Sequence, residues 1–325
     1  MKQQVYALQN EKDVLAKSSS GGAFLGIVKA FFKANEKNMY VYGVVLDANA
    51  CPQYAKAESY EEAEKFCGSK YVYCSIRDVI EDLSTKLLSG ATVLVSGTPC
   101  NISILKTHLR KHCIPEDKLV TVDLVCNGTP SIEFWKEYVA WLEGKCNSKL
   151  IDFKFRKKGD RYNPYLTEAI FENGKVLRDH HLTASYNQLF LKKLIIRKGC
   201  FSCKFKNLNR VADLTIGDFW GIKEILPHFN TYNEVSQVLV NSEKGKLILN
   251  QIDDIVRMME CFDDNYLQYQ QNLVSPTRIP DTYELFWNDK EINGLDYVMK
   301  KYSDAGYVGK IRYFLKRNLR KYRKG

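Results

Sequence analysis

The sequence predicts an α/β protein in which a parallel or mixed sheet with crossover helices is followed by a mixed α+β segment. Residues 91–96 predict a strand that is followed by Gly97-Thr98-Pro99-Cys100, and a helical pattern then extends from Ile102 to about His108. The same order recurs from residue 119 to residue 141, where a strand, a Gly-Thr-Pro turn and a helix succeed one another. Repeated strand, glycine loop and helix indicate parallel strands joined by crossover helices.

The other elements follow from hydrophobic periodicity and turn signals. Apolar residues at helical spacing predict further helices over residues 23–32, 77–88, 187–197 and 243–259. Apolar and β-branched runs predict further strands over residues 40–46, 150–156, 165–171, 213–216 and 236–240. Asn173-Gly174 between two such runs predicts a hairpin. The second half is therefore expected to be mixed α+β, with a boundary near residue 150.

The net charge of +10, from 48 Lys and Arg against 38 Asp and Glu, is unevenly distributed. Eight basic residues and no acidic residue lie from Lys310 onward, so residues 1–309 carry only 40 − 38 = +2. A nearly neutral body argues against nucleic-acid binding, which would need a basic face or domain. Hydrophobic residues make up 45% of the chain, which is typical of a globular protein with a core.

Residues 301–325 are predicted to form a basic amphipathic C-terminal tail. Its apolar residues fall on one helical face, namely Ile311, Phe314, Leu315, Leu319 and Tyr322. Such a helix favours peripheral contact with an anionic membrane through residues 307–325, or docking on an acidic partner. The alternative is a solvated tail that is lightly packed on its own body.

The compartment is predicted from hydropathy and cysteine usage. No stretch approaches the roughly 18 consecutive apolar residues of a membrane span, and the first ten residues lack the apolar core of a signal peptide. The protein is therefore expected in the cytoplasm, with any peripheral membrane contact on the inner face. Ten scattered cysteines in a reducing compartment favour metal or redox chemistry over a disulfide framework.

The sharpest local signal is the pair Cys200 and Cys203, separated by two residues. Two thiolates at this spacing can point into one site, as they do in zinc and iron–sulfur ligation. Cys100 and Cys126 each follow a predicted parallel strand, and such loops meet at the carboxyl edge of a sheet, so we expect them to complete the set. Structural zinc and an iron–sulfur cluster both suit four thiolates. Cys67 or Cys74 could replace one ligand, and apolar filling of the core is the alternative for any of these cysteines.

Two other motifs suggest ligand contacts. Residues 18–22, Ser-Ser-Ser-Gly-Gly, precede a predicted helix and can form an anion site from hydroxyls and free amides, although an ordinary N-cap is the alternative. Residues 213–221 predict a strand that ends in Gly217-Asp218 and two aromatic residues. A carboxylate and flat rings at this point suit a planar ligand such as a flavin, and a buried aromatic corner is the alternative.

Six motifs occur in one order and together carry a resemblance to a known family. They are Ser19-Ser20-Gly21-Gly22, Gly68-Ser69-Lys70-Tyr71-Val72, Ser96-Gly97-Thr98-Pro99-Cys100, Val122-Asp123-Leu124-Val125-Cys126-Asn127-Gly128, Cys200-x-x-Cys203-x-Phe205-Lys206 and Asp213-x-x-Ile216-Gly217-Asp218-x-Trp220-Gly221. Over roughly residues 15 to 250, the chain resembles the coenzyme F420 hydrogenase/dehydrogenase beta-subunit family.

The resemblance implies an oxidoreductase that carries FAD and a 4Fe-4S cluster. Residues 1–150 would then be the flavin-binding portion, and residues 151–300 would complete the cluster and flavin sites. The implied cluster ligands are Cys100, Cys126, Cys200 and Cys203. The implied flavin-binding residues are Ser19, Ser20, Gly21, Gly22, Ser69, Lys70, Tyr71, Gly97, Thr98, Pro99 and Asp218. The helix start and Lys70 would neutralise the pyrophosphate. The resemblance assigns no catalytic residue.

The partners expected from the resemblance are a small-molecule hydride donor or acceptor, a deazaflavin in archaeal relatives, and a separate electron-transfer protein such as a ferredoxin. A separate protein is expected because many relatives carry an N-terminal ferredoxin-like module that this sequence lacks. Asn127 stands where many relatives have His, which removes a proton-transfer group. Bacterial relatives occur in polysaccharide biosynthesis settings. The alternative function is a non-enzymatic, metal-stabilised accessory protein of envelope polysaccharide assembly.

Overall fold

The computed structural model describes residues 3–33, 37–159, 165–229, 234–252 and 255–322, and for residues 320–322 the backbone alone. The strands are β1 Gln4–Gln9, β2 Met39–Leu46, β3 Pro52–Ala57, β4 Thr92–Gly97, β5 Leu119–Leu124, β6 Leu150–Lys158, β7 Tyr165–Phe171, β8 Val176–Arg178, β9 Leu214–Asp218, β10 Ser236–Val240 and β11 Arg257–Cys261. The helices are α1 Lys12–Lys17, α2 Ala23–Phe32, α3 Tyr60–Ala63, α4 Ile80–Leu88, α5 Pro99–Lys111, α6 Ile132–Cys146, α7 His181–Leu191, α8 Ile222–Ile225, α9 Glu243–Asn250, α10 Tyr283–Tyr302 and α11 Tyr307–Tyr322.

The main sheet has eight strands in the order β11-β1-β10-β9-β5-β4-β2-β3. Its centre is parallel, because β2 pairs with β4, β4 with β5 and β5 with β9 in the same direction. The outer strands pair antiparallel on both sides. The predicted α/β class with a mixed sheet is therefore confirmed. The carboxyl ends of β4 and β5 lie at one edge of this sheet.

Strands from both halves of the sequence build this one sheet. β9, β10 and β11 follow residue 150, yet they pair with strands that precede it. The predicted hairpin forms the separate three-stranded sheet β6-β7-β8, in which Gly174 has φ +80° at the turn. The three-stranded sheet therefore lies entirely after residue 149. The eight-stranded sheet contains strands from both halves of the sequence.

Among the described residues, four buried clusters hold these layers together. α2 covers one face of the main sheet through residues such as Ile27 and Phe31. α4 and α5 cover the other face through residues such as Leu83 and Leu105, and a third cluster lies under α8. An aromatic cluster centred on Trp135 joins α6, α7 and α10 to the small sheet. The crossover helices therefore fix where each parallel strand ends.

The helix predicted over residues 243–259 is wrong in its second part. α9 ends at Asn250, and Arg257–Cys261 is strand β11, which pairs with β1. The apolar residues of this segment fit either period. Pairing to the open edge of β1, about 250 residues earlier in the chain, selects the strand.

The helix predicted over residues 187–197 forms six residues earlier, as α7. The His180 ring nitrogen accepts a hydrogen bond from the Leu182 amide and caps the helix start. Lys193 takes φ +64° just beyond the last turn, a left-handed conformation that stops a helix. Residues 194–196 are buried apolar residues, of which Leu194 and Ile195 belong to the aromatic core, and they extend the apparent helical pattern.

Gly21 lies where β1, β10 and the start of α2 meet. A Cβ on Gly21 would lie 2.2 Å from the Leu8 carbonyl oxygen and 2.3 Å from the Ser236 amide nitrogen. Both neighbours are backbone atoms of the sheet, which cannot rotate away. The position therefore admits only glycine.

Gly21→Ala is expected to lower the free energy of unfolding by at least about 2 kcal/mol, because the overpacking falls on backbone. Gly144→Ala is the matched control: Gly144 lies inside α6 with open space around its Cα, so alanine should raise stability by about 0.5–1 kcal/mol. Urea unfolding monitored by circular dichroism measures both. Equal stability of Gly21→Ala and the parent protein would contradict this packing.

Candidate functional site

Four cysteines from three separate segments line one small cavity at the carboxyl edge of the parallel strands. Cys100 follows β4, Cys126 follows β5, and Cys200 and Cys203 lie in the loop before β9. The structure thus brings together all four cysteines that the sequence analysis grouped. Cys74 is instead buried in the core beside α4, and Cys67 does not line this cavity.

Local geometry orients the first two sulfur atoms. α5 begins at Pro99, three residues earlier than the helical pattern indicates, so Cys100 lies in the first helical turn and not in a loop. Proline suits this position because its fixed φ is helical and it has no amide hydrogen to lose. The Thr98 hydroxyl lies 3.1 Å from the Cys100 sulfur, and the Gly128 amide donates to the Cys126 sulfur at 3.4 Å.

The loop after β5 is held against the Cys200 segment. Gly128 has φ +102°, and a Cβ there would lie 2.5 Å from Ile196 and 3.3 Å from the Cys200 Cβ. The Arg197 amide donates to the Thr129 carbonyl at 3.1 Å, beside an isolated β-bridge of Pro130 with Ile196. These contacts place Cys126 and Cys200 on neighbouring walls.

Three cationic side chains, Arg197, Lys206 and Arg210, also line the cavity. Lys206 is buried and donates to the amide of Asn272 and the hydroxyl of Thr277, which are neutral acceptors. Burial lowers the pKa of Lys206, and the neighbouring cysteines oppose this shift. The Arg197 Nε atom is buried without a hydrogen-bond partner among the described residues. Positive charge is thus concentrated where several thiolates would need it.

The buried ion pair of Arg210 with Asp123 fastens the cysteine loop to the sheet. Their closest atoms lie 2.9 Å apart, and the two side chains are 1% and 0% exposed. Arg210 also donates to the Phe205 carbonyl at 2.7 Å and the Leu124 carbonyl at 3.1 Å. The Thr215 hydroxyl accepts a further bond from Arg210 and donates to Asp123. One side chain therefore joins the loop, β5 and β9.

The four thiols are the metal-ligating groups that this cavity offers. Within the described ranges, no group of three or more His, Cys, Asp or Glu side chains is arranged to hold a metal ion. Thiolates ligate structural zinc and iron–sulfur clusters alike. Burial raises the pKa of the Cys126 thiol to about 12, so a metal centre must displace its proton.

The residues implied for flavin binding lie partly in contact with one another. The Ser69 amide donates to the Ser19 hydroxyl at 2.8 Å, which joins the Ser-Ser-Gly-Gly loop to the Gly-Ser-Lys-Tyr segment. Gly22 has φ +81° and begins α2 without a side-chain cap or an acidic residue in the first turn. The Ser20 hydroxyl donates to the Val235 carbonyl at 3.0 Å. The start of α2 therefore keeps the open amides that an anion site requires.

The Lys70 ammonium forms hydrogen bonds within its own turn. It donates to the carbonyls of Phe66 at 2.9 Å and Cys67 at 2.8 Å. Burial lowers its pKa to about 8. One of its three ammonium hydrogens is left over for a ligand. Lys70 thus holds the turn that presents Ser69 and Tyr71.

A second group of the residues implied for flavin binding lies around Asp218. Its carboxylate lies 2.6 Å from Arg156 Nη1 of β6, while Arg156 Nη2 is buried without a described partner. The Tyr71 ring stacks on Phe190 with centroids 4.7 Å apart. Burial raises the pKa of Tyr71, and Arg156 acts in the opposite direction. An unpaired guanidinium N–H at this point is a donor that a ligand oxygen would satisfy.

The two aromatic residues after Asp218 differ in their exposure to solvent. Phe219 is buried in the core under α8, as the alternative of an aromatic corner predicts, whereas Trp220 is 53% exposed. Gly97, Thr98 and Pro99 close the end of β4, and Thr98 and Pro99 line the cysteine cavity. One of the implied flavin segments, residues 97–99, therefore borders the cysteine cavity.

Residues 90–260, more than half of the 325 residues, match a known family. This family is described as the C-terminal part of the beta subunit of coenzyme F420 hydrogenase/dehydrogenase. The chain belongs to this family. Hydrogenases and dehydrogenases are oxidoreductases, which is the broad class of this chain. The matched region contains all four cysteines of the cavity.

Solved structures confirm the fold. The chain is similar to a chain of the F420-reducing [NiFe] hydrogenase complex from Methanosarcina barkeri, determined with xenon derivatization, with 17% sequence identity and a TM-score of 0.55. The match covers 90% of this chain and 93% of that chain. At this identity the likeness extends to the fold alone. No curated protein matched the sequence.

Sequence reasoning on this family member missed the charged residues that support the site. Arg156, Arg197 and Arg210 were not singled out, although Arg197 and Arg210 lie close to the Cys200 and Asp213 motifs and Arg156 ends the strand predicted over residues 150–156. Their signal is weak because arginine is common on surfaces. The position of an arginine close to a cysteine motif or to the end of a predicted strand is the only signal in the sequence that could have identified these residues.

Arg210→Met is expected to lower the free energy of unfolding by about 3–5 kcal/mol, because it leaves Asp123 buried and unpaired. Labelling of Cys200 and Cys203 by a thiol reagent should become faster as their loop loosens. The matched control is Arg110→Met, since Arg110 pairs with Glu116 at 3.0 Å while 70% exposed and should cost less than about 1 kcal/mol. Equal losses in the two variants would contradict the role of the buried pair.

Proposed function

We propose that this chain is an iron–sulfur flavoprotein oxidoreductase. It would pass electrons between a 4Fe-4S cluster, FAD and a small-molecule hydride donor or acceptor. The observation that carries the proposal is the convergence of four cysteines, from three segments spread over residues 100–203, on one cavity. Family membership gives the class of reaction.

The chain's own residues are suited to hold a cluster of net negative charge. Cys100, Cys126, Cys200 and Cys203 would ligate it, and Arg197 and Lys206 would offset its charge. Charge and hydrogen bonding near a cluster set its reduction potential. When bound, a cluster exchanges single electrons, and a flavin exchanges either a hydride or single electrons.

FAD would lie against the residues that the resemblance implies for it. Ser19, Ser20, Gly21, Gly22 and Ser69 supply hydroxyls and amides for phosphate, with Lys70 as a partly buried cation. Gly97, Thr98 and Pro99 would hold the flavin beside the cysteine cavity, and Tyr71 and the Arg156–Asp218 pair would contact it. The unpaired Arg156 N–H supports a polar ligand atom there.

Anaerobic purification tests the proposal. We expect a flavin spectrum with broad iron–sulfur absorbance and about four irons for each chain. Cys200→Ser should lose most of its iron, and Cys113→Ser, which removes an exposed cysteine outside the cavity, should keep it. Circular dichroism shows whether each variant is folded. A folded, colourless and iron-free parent protein would favour the non-enzymatic accessory role, and iron retained in Cys200→Ser would overturn the ligand assignment alone.

We also propose that α11 rests on an anionic membrane surface. Six of its apolar residues are between 46% and 80% exposed, namely Tyr307, Val308, Ile311, Phe314, Leu315 and Leu319. At 100° for each residue they occupy one face of the helix, with Lys310, Arg312, Lys316 and Arg317 on the flanks and the opposite side. Tyr322, which the sequence places on the same apolar face, has its side chain outside the described part. No helix among the described residues is long and apolar enough to cross a membrane.

The contacts of α11 with the body use the face opposite the apolar residues. Gly309 is closely packed against Asp304, so that a Cβ would lie 2.5 Å from the Asp304 Cα. The Tyr313 hydroxyl donates to the Asp179 carboxylate, and Arg317 lies 3.0 Å from it. The apolar face therefore points away from the protein. A helix with this orientation presents apolar side chains and basic flanks to lipid.

Phe314→Ser combined with Leu315→Ser should weaken sedimentation with vesicles that contain phosphatidylglycerol at least tenfold, because two apolar side chains no longer enter the interface. Leu88→Ser combined with Leu247→Ser is the control, since both residues are exposed apolar side chains on other helices. That pair should leave binding unchanged. Vesicle binding that both double variants reduce equally, or no binding by the parent, would contradict the proposal.

A further inference from the structure

A broad groove lies beside the cysteine cavity, between α5, the start of α4 and the cysteine loop. Its volume is about 660 Å³, and its walls include Ile80, Ile104 and Phe205. Cys100 and Phe205 line both this groove and the cysteine cavity. A redox group held by Cys100 is therefore separated from the groove by no more than these two side chains.

The rim of this groove is positively charged. Arg77, Lys111 and Lys204 are exposed at its edge, and Glu81 is the one carboxylate among its described lining residues. Glu81 itself lies 3.9 Å from His108, which also lines the groove. Because residues 1–309 carry a formal charge of only +2, this local excess is not a reflection of a basic body. Three cations around an apolar floor match an acidic protein surface.

We infer that this groove is the docking surface for a small acidic electron-transfer protein. The inference rests on the proposed function, since it needs an electron carrier at the cysteines. Transient redox complexes use small interfaces with an apolar centre and charged rims that steer the encounter. Single electrons would enter or leave through Cys100 and Phe205, with the acidic protein as the reductant or oxidant.

The hydride donor or acceptor fits this groove poorly. Hydride transfer requires reacting atoms about 3–3.5 Å apart, and none of the residues implied for FAD is among the described lining residues of the groove. The groove instead borders the cysteines. The two partners would therefore approach the protein from different sides, and an electron carrier could dock without displacing the small molecule.

The test is binding of an oxidised, acidic bacterial ferredoxin to the full chain at low salt, measured by isothermal titration calorimetry. Lys111→Glu combined with Lys204→Glu should weaken binding at least tenfold and make it less sensitive to salt. Lys37→Glu combined with Lys12→Glu is the matched control, because these exposed lysines lie outside the groove. The control should stay within twofold of the parent protein.

Three results would overturn the inference. They are no binding of the ferredoxin by the parent protein, equal weakening of binding by both charge-reversal pairs, and unchanged ferredoxin binding by the groove variant. Iron and flavin contents are measured on the same samples. An iron-free and flavin-free parent would refute the proposed function, whereas the calorimetry still decides whether this surface binds the acidic protein.

Discussion

The buried ion pair between Arg210 and Asp123 is the constraint on which the site depends. A fully buried ion pair stabilises a fold little more than apolar residues of similar volume would. Removing one partner, however, leaves the other charge buried and unpaired in a medium of low dielectric. Their value is positional, because a guanidinium with several donors fixes direction as well as distance. Arg210 reaches backbone of the cysteine loop and of β5 at once. The position of Cys203 relative to Cys126 therefore follows from a single side chain.

Electrostatics and topology act together at this edge of the sheet. The parallel pairing of β4, β5 and β9 sends the segments after β4 and β5 to one end, and the antiparallel return of β10 closes the far side. Thiolates collected at such an edge repel one another, and burial, with a smaller contribution from Cys100 and Cys200, raises the pKa of the Cys126 thiol. Cations that line the same cavity reverse this preference when a metal centre binds. The positive charge and the cysteines thus form one functional unit.

The sequence predicted the crossover units and the meeting of the cysteines, because glycine turns after apolar strands are local signals and parallel topology is restrictive. It did not predict β1 in the interior of the sheet, since Gln4–Gln9 is short and partly polar and is stabilised by β10 and β11. Pairing across more than 200 residues leaves no local trace. The same holds for Arg210 and Asp123, whose partnership depends on the finished sheet. Cys100 was expected in a loop, and Pro99 placed it in a helix instead.

The start of α5 explains how one short segment can serve two partners. Gly97 ends β4, Thr98 and Pro99 border the cysteine cavity, and Cys100 borders both the cavity and the groove beside it. Successive residues of a helix point about 100° apart, so a helix that begins at Pro99 turns neighbouring side chains toward different sides of the sheet edge. A loop of the same sequence would leave these directions free. A helix at this position would therefore separate the proposed flavin side from the proposed electron-carrier side within four residues, and the proline at its start favours that arrangement.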